Sequence, residues 1–98
     1  MESLRTFNYE VGGNTIEVQW VGAGPTSLSG NYRVSVQFEY GGYTTTVECT
    51  TKNVGEVQEL NRVEDKIQRE FYLFELVYYR LEDRVKDICD RIDEWNSG

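Results

Sequence analysis

Few side chains in this sequence are suited to covalent chemistry. The chain contains no histidine and two cysteines, Cys49 and Cys89. A thiol becomes a nucleophile when a neighbouring base or cation holds it as thiolate, and neither cysteine has such a neighbour visible in sequence. Glu17, Glu39 and Glu48 are expected on the polar face of a sheet. Two carboxylates at short range can do acid–base work, but single ones on an open face are ordinarily solvated. No catalytic residue is assigned, and the reading is of a non-enzyme.

Two other patterns weigh little. Gly22-Ala23-Gly24-Pro25-Thr26-Ser27 has the glycines of a phosphate cradle but lacks the Gly-Lys-Ser/Thr that grips phosphate, and a strand rather than a helix follows it. It reads as an inter-hairpin loop running from Gly22 to Gly30. Asp87, Asp90, Asp93 and Glu94 bring oxygen ligands to adjacent helical turns. A rigid helix cannot wrap them around calcium as a loop does, so no metal ligand and no cofactor is assigned.

Two clusters suggest binding instead. Glu82, Asp83, Asp87, Asp90, Asp93 and Glu94 crowd the last turns of a helix, where the helix dipole favours Lys and Arg. Such a departure from local consistency marks a candidate docking surface for a basic protein partner. The competing reading is neutralisation by local pairs such as Glu82–Lys86 and Asp87–Arg91, or by a second copy. The second cluster is Arg80 and Arg84, one turn apart, beside Tyr78 and Tyr79. Guanidiniums can grip a phosphate and a tyrosine can stack on a base, which would make a nucleotide pocket between subunits. Ion pairing with Asp83 or Asp87 is the plainer alternative.

The elements that must position these residues follow from period. Apolar and polar residues alternate over Phe7–Val11, Ile16–Trp20, Tyr32–Tyr40 and Tyr43–Cys49, the signature of half-buried strands. Gly12-Gly13 and Gly41-Gly42 supply the positive φ of tight hairpins. Two-residue loops there pair Tyr9 with Ile16, Phe7 with Val18, Tyr40 with Tyr43, Phe38 with Thr45 and Val36 with Val47. A slip by one residue would turn every apolar side chain outward.

The second half reads as helix. Asn53 and Glu56 can form a capping box, and Glu56 to Trp95 contains neither Gly nor Pro. Leu60, Ile67, Phe74, Leu81, Ile88 and Trp95 recur at every seventh position, with Phe71, Tyr78, Val85 and Ile92 on one flank. A single helix of this span would be roughly 64 Å long, against roughly 30 Å for the strands. The sheet covers about half of such a helix, and the excess is expected from Phe71 to Trp95. The segment Phe71–Leu81 is apolar nearly all round, which means burial on more than one side. A second copy is the expected cover, through Phe71, Phe74, Tyr78, Leu81, Val85, Ile88, Ile92 and Trp95. A kink or fold-back near residues 71–81 is the competing solution.

The expectation is therefore one α+β domain over residues 1–98. A four-stranded antiparallel meander (1–52) precedes one long C-terminal amphipathic helix (53–96), which packs on the sheet and on a second subunit. Seventeen acidic against ten basic residues give a net charge of −7 in 98 residues. That argues against direct contact with nucleic acid or an anionic membrane, both of which need clustered Lys and Arg. No leader-like or membrane-spanning apolar run is visible, and two cysteines are few for a disulfide scaffold, so a reduced, cytoplasmic protein is expected. An intrachain Cys49–Cys89 bridge would require the helix to fold back. By size, charge and layout alone the chain is similar to the small acidic inhibitors that phages make against bacterial immune systems, anti-CRISPR proteins among them. That likeness implies nothing about particular residues. The leading expectation is an acidic, oligomeric binding protein, of the phage-inhibitor type, that blocks a basic, nucleic-acid-binding surface. The alternatives are an oligomeric nucleotide sponge and a purely structural assembly module.

Overall fold

The computed structural model describes residues 6–26, 31–51 and 54–97. Four strands, β1 (Thr6–Val11), β2 (Asn14–Pro25), β3 (Tyr32–Tyr40) and β4 (Tyr43–Thr50), are followed by helices α1 (Val54–Arg62) and α2 (Lys66–Ser97). The strands form one antiparallel meander in the order β1-β2-β3-β4, and the architecture is α+β as expected. The register matches the alternation, with Tyr9 opposite Ile16, Val36 opposite Val47 and Tyr40 opposite Tyr43. Gly12 and Gly13 (φ 58° and 83°) and Gly41 and Gly42 (φ 59° and 89°) occupy the left-handed region. Two successive positive φ values match the hairpin twist to that of the strands.

The loop expected from Gly22 to Gly30 begins later than its composition suggests. β2 continues to Pro25 through a bulge at Val21, so that Trp20 faces Val36 while Gly22 faces Ser35. The extra residue shifts the alternation by one and brings Ala23 onto the core face opposite Val34. Residues 27–30 lie outside the described residues.

The single helix expected from 53 to 96 is two helices. Val63, Glu64 and Asp65 separate them, and the expected Asn53 cap lies outside the described residues. The Asp65 carboxylate accepts hydrogen bonds from the amides of Ile67 (2.9 Å) and Gln68 (3.4 Å), capping α2. Arg69 Nε and Nη2 donate to the Val63 carbonyl at 3.0 and 2.8 Å, satisfying the chain where α1 has ended. Leu60 of α1 is fully buried and the Tyr32 hydroxyl donates to Asn61 Oδ1 at 2.6 Å. The chain reverses at 63–65, while the segment 71–81, the alternative site for a kink or fold-back, is unbroken helix.

α2 crosses the inner sheet face. Its buried line is Leu73, Val77, Leu81, Val85 and Cys89, then Ile92. Steps of four residues advance about 40° around the axis each time, so this line winds with the twisted sheet beneath it. The seven-residue track is therefore not the core line: Leu60 and Leu81 are fully buried, but Ile67 and Trp95 are 65% and 61% exposed. From Leu73 to Ile92 the helix rises about 29 Å, close to the roughly 30 Å length of β3. The apolar line is thus covered by the sheet as far as Ile92, and the large apolar side chains of α2 left exposed are Ile67, Phe71, Tyr79 and Trp95. The C-terminal end is docked on the second hairpin, where Asn96 Nδ2 donates to the Gly41 carbonyl at 3.1 Å. There the Trp95 ring meets Tyr43 at 5.6 Å.

Candidate functional site

Asp83, Asp87, Asp90 and Glu94 follow one another at four, three and four residues along α2, and all are exposed. At about 100° per residue they lie within about 60° of one another, roughly opposite Leu81, Val85 and Ile92. The sheet fixes this direction, because burying the apolar line turns the acids to solvent. Their expected local partners do not engage them. The ion pairs among the described residues are Arg33–Glu48, Arg62–Glu59 and Arg80–Glu56; neither Asp87–Arg91 nor Glu82–Lys86 is among them. The face thus presents a row of carboxylates about one helical turn apart, without a guanidinium or ammonium in contact.

Two members of the expected acidic cluster stand apart from this row. Glu82 is half-buried on the flank facing β1. Asp93 accepts a 2.8 Å hydrogen bond from the Tyr40 hydroxyl, a bond that pushes the Tyr40 phenol above its ordinary pKa, with lesser contributions from burial and nearby acidic groups. Asp93 therefore belongs to the attachment of the helix to β3.

The arginine–tyrosine cluster is divided by the helix. Arg80 Nη2 lies 2.5 Å from Glu56, and its Nη1 donates to the Thr50 carbonyl at 3.4 Å. Arg84 is exposed beside β4. Tyr78 is on the opposite flank, its ring 5.0 Å from Tyr9 and 5.3 Å from Phe74, and Tyr79, 74% exposed, meets the Tyr78 ring edge-on at 5.2 Å. Within one chain these four side chains do not converge on a common ligand volume. Sequence order hid this because consecutive helical residues point about 100° apart.

The residues expected at a helix-to-helix seam are also redistributed. Leu81, Val85 and Ile92 are fully buried beneath the chain's own sheet-facing side and leave no side-chain surface for a second copy. Phe74, Tyr78 and Ile88 pack partly against the same core. Phe71 and Trp95 keep about half or more of their surface exposed, at 51% and 61%. Leu73 and Cys89, which the seven-residue reading passed over, are core instead. The four-residue step between Leu73, Val77, Leu81, Val85 and Cys89 was the signal that locates them.

Both cysteines are free thiols, although the chain does fold back over its sheet. Burial raises the Cys49 pKa, partly opposed by Arg80 and Arg84. Burial also raises that of Cys89, reinforced by Asp93 and Asp90. Neither is thereby activated as a nucleophile. An open groove of about 510 Å³ runs between β4 and α2, lined by Glu48, Cys49, Thr50, Arg80, Asp83 and Arg84. Among the described residues no three His, Cys, Asp or Glu side chains converge as a metal site, and no helix is long and apolar enough to cross a membrane. Comparison with protein-family models, curated proteins and solved structures returned no match.

Proposed function

We propose that this protein is a non-enzymatic acidic binding protein whose α2 outer face docks on a basic surface of another protein. The observation that carries this reading is the row Asp83, Asp87, Asp90 and Glu94, exposed, aligned and in no ion pair among the described residues. Four carboxylates on one rigid helix repel one another, and Lys86 and Arg91 stand close enough in sequence to relieve them without doing so. A cationic partner surface relieves that repulsion on binding and gains long-range attraction from a net charge of −7. The carboxylates recur about every 5.5 Å, within a factor of two of the charge spacing along one nucleic-acid strand. A surface built to hold phosphates is accordingly the partner chemistry favoured, and occupying it would inhibit the partner in the manner of a small phage inhibitor.

Affinity capture from host extract tests this with the protein and its D83K/D87K/D90K/E94K variant side by side. The expected result is a partner with a basic, nucleic-acid-binding surface, retained by the former and lost by the latter. Retention of the same partners by both proteins would remove the acidic face from the account.

A further inference from the structure

β4 is an edge strand. The two-residue turn at Gly41-Gly42 fixes which of its main-chain groups are used. Tyr43, Thr45, Val47 and Cys49 bond to β3, and the amides and carbonyls of Thr44, Thr46 and Glu48 point away from the sheet. No backbone hydrogen bond outside the ladder takes them up among the described residues, whereas the next outward carbonyl, that of Thr50, is occupied by Arg80. From Tyr43 to Val47 the strand has no charge, no proline and no bulge, the devices by which edges usually avoid pairing.

We propose that two copies of this chain pair through β4 about a two-fold axis at Thr46, each seating its Tyr43–Trp95 pair in the other's groove beside Cys49 and Arg84. The register follows from the edge itself. Antiparallel pairing matches outward-bonding residues with one another, and a centre at Thr46 uses all three. Thr46 then faces its own copy, and Thr44 and Glu48 face each other twice. Centres one residue toward either end leave one of these positions unmatched or set it against the occupied Thr50. No like charges meet across the pair.

The same register places Tyr43 of one protomer opposite Cys49 of the other, on the helix-bearing face and in the closer type of pair. Trp95, 61% exposed and edge-on to Tyr43 at 5.6 Å, is carried to that position with it. What it meets is the open groove between β4 and α2, whose wall includes Arg84. An indole against a guanidinium is a favourable pairing, and by symmetry it occurs twice. An exposed aromatic pair at one end of the strand and a cation-lined groove at the other are thus complementary under one operation. Of the acidic row, Asp83 also lines this groove, whereas Asp87, Asp90 and Glu94 are not among its lining residues.

Sedimentation velocity of the full chain at about 100 μM, a hundredfold above a micromolar Kd, is the test. The expected species has twice the 11.4 kDa chain mass. Thr46→Lys opposes two charges at the axis and Thr46→Pro removes the central donor; both are expected to sediment as monomers. The exposed Thr46 side chain keeps the lysine variant folded, which its circular dichroism melt checks. Trp95→Ala should weaken pairing about tenfold. Amide exchange at Thr44, Thr46 and Glu48 should be slowed in the parent and fast in Thr46→Lys. A monomer at this concentration, an assembly larger than two, or a dimer indifferent to both Thr46 substitutions would overturn the proposal.

Discussion

The Arg80 guanidinium stands 2.5 Å from the Glu56 carboxylate, joining the middle of α2 to the first turn of α1 across the chain reversal at residues 63–65. The pair is largely shielded, with the two side chains 26% and 16% exposed. Hydrogen bonds to charged groups at such sites are worth about 1.5–3 kcal/mol. Glu56→Ala is expected to lower unfolding stability by about 2 kcal/mol in urea denaturation, with Arg62→Ala at the exposed Arg62–Glu59 pair changing it by less than about 0.5 kcal/mol. Equal effects from the two would mean that α1 is not held against α2 by this contact.

The docking of the α2 C-terminus on the second hairpin gives a paired prediction. Gly41 and Gly12 have nearly equal φ of 59° and 58°. A Cβ at Gly41 would meet Ile92 Cγ2 at 2.7 Å and Asn96 Nδ2 at 2.8 Å, whereas one at Gly12 meets nothing within 4 Å. Both alanine substitutions carry a left-handed strain of about 1–2 kcal/mol. Gly41→Ala adds overpacking of about 1–3 kcal/mol and should melt several degrees below Gly12→Ala. Coincident thermal melts would place the helix end away from the hairpin.

Leu81 and Phe71 separate core from surface on the same helix. Leu81 is fully buried and Phe71 is 51% exposed. Leu81→Ala is expected to cost about 2–5 kcal/mol, and Phe71→Ala less than about 1.5 kcal/mol, each read from the chemical-denaturation midpoint. The reverse ranking would show that the buried line has been assigned to the wrong side of α2.

Alkaline pH provides an independent probe of the sheet–helix contact. The Tyr9 hydroxyl donates to the Tyr78 carbonyl at 2.6 Å, and its pKa is raised, chiefly by burial and further by Tyr78, Glu82 and Cys49. A phenol that binds its proton more tightly when folded contributes stability present below the unfolded pKa of about 10 and lost as pH rises above it. Stability should therefore fall from about pH 10 upward. Tyr9→Phe should be less stable by about 1 kcal/mol at neutral pH yet show a shallower alkaline decline. Parallel pH profiles for the two proteins would exclude Tyr9 as a source of that decline.

The sheet was legible because period-two alternation and glycine pairs specify register jointly: Tyr9–Ile16 and Val36–Val47 pair as the residues require. The helix was legible in its existence and not in its course. Absence of Gly and Pro implies continuity, yet Asp65 and Gln68 three residues later carry a capping signature of their own. Reversal at that point costs little locally and lets Leu60 enter the core, a long-range gain that no local pattern expresses. Trp95 and Phe71 shared a stripe in the sequence, but which end of α2 meets the sheet depends on where the reversed chain enters it. The acidic row was visible as composition; its alignment emerged only once Leu81, Val85 and Ile92 fixed the rotation of the helix.

The outer face of α2, rather than net charge alone, is expected to recognise a basic surface. Fluorescence anisotropy with a labelled arginine-rich peptide as probe tests it, comparing the protein, D83K/D87K/D90K/E94K, and a control in which Glu10, Glu17, Glu39 and Glu64 become Lys. The two variants change net charge equally, and the control acids are exposed on other faces. The expected result is binding that weakens steeply with added salt, survives in the control with a Kd within about fivefold of the parent, and is lost in the helix variant by a hundredfold or more. Equal losses in both variants would reduce the interaction to net charge and contradict the account.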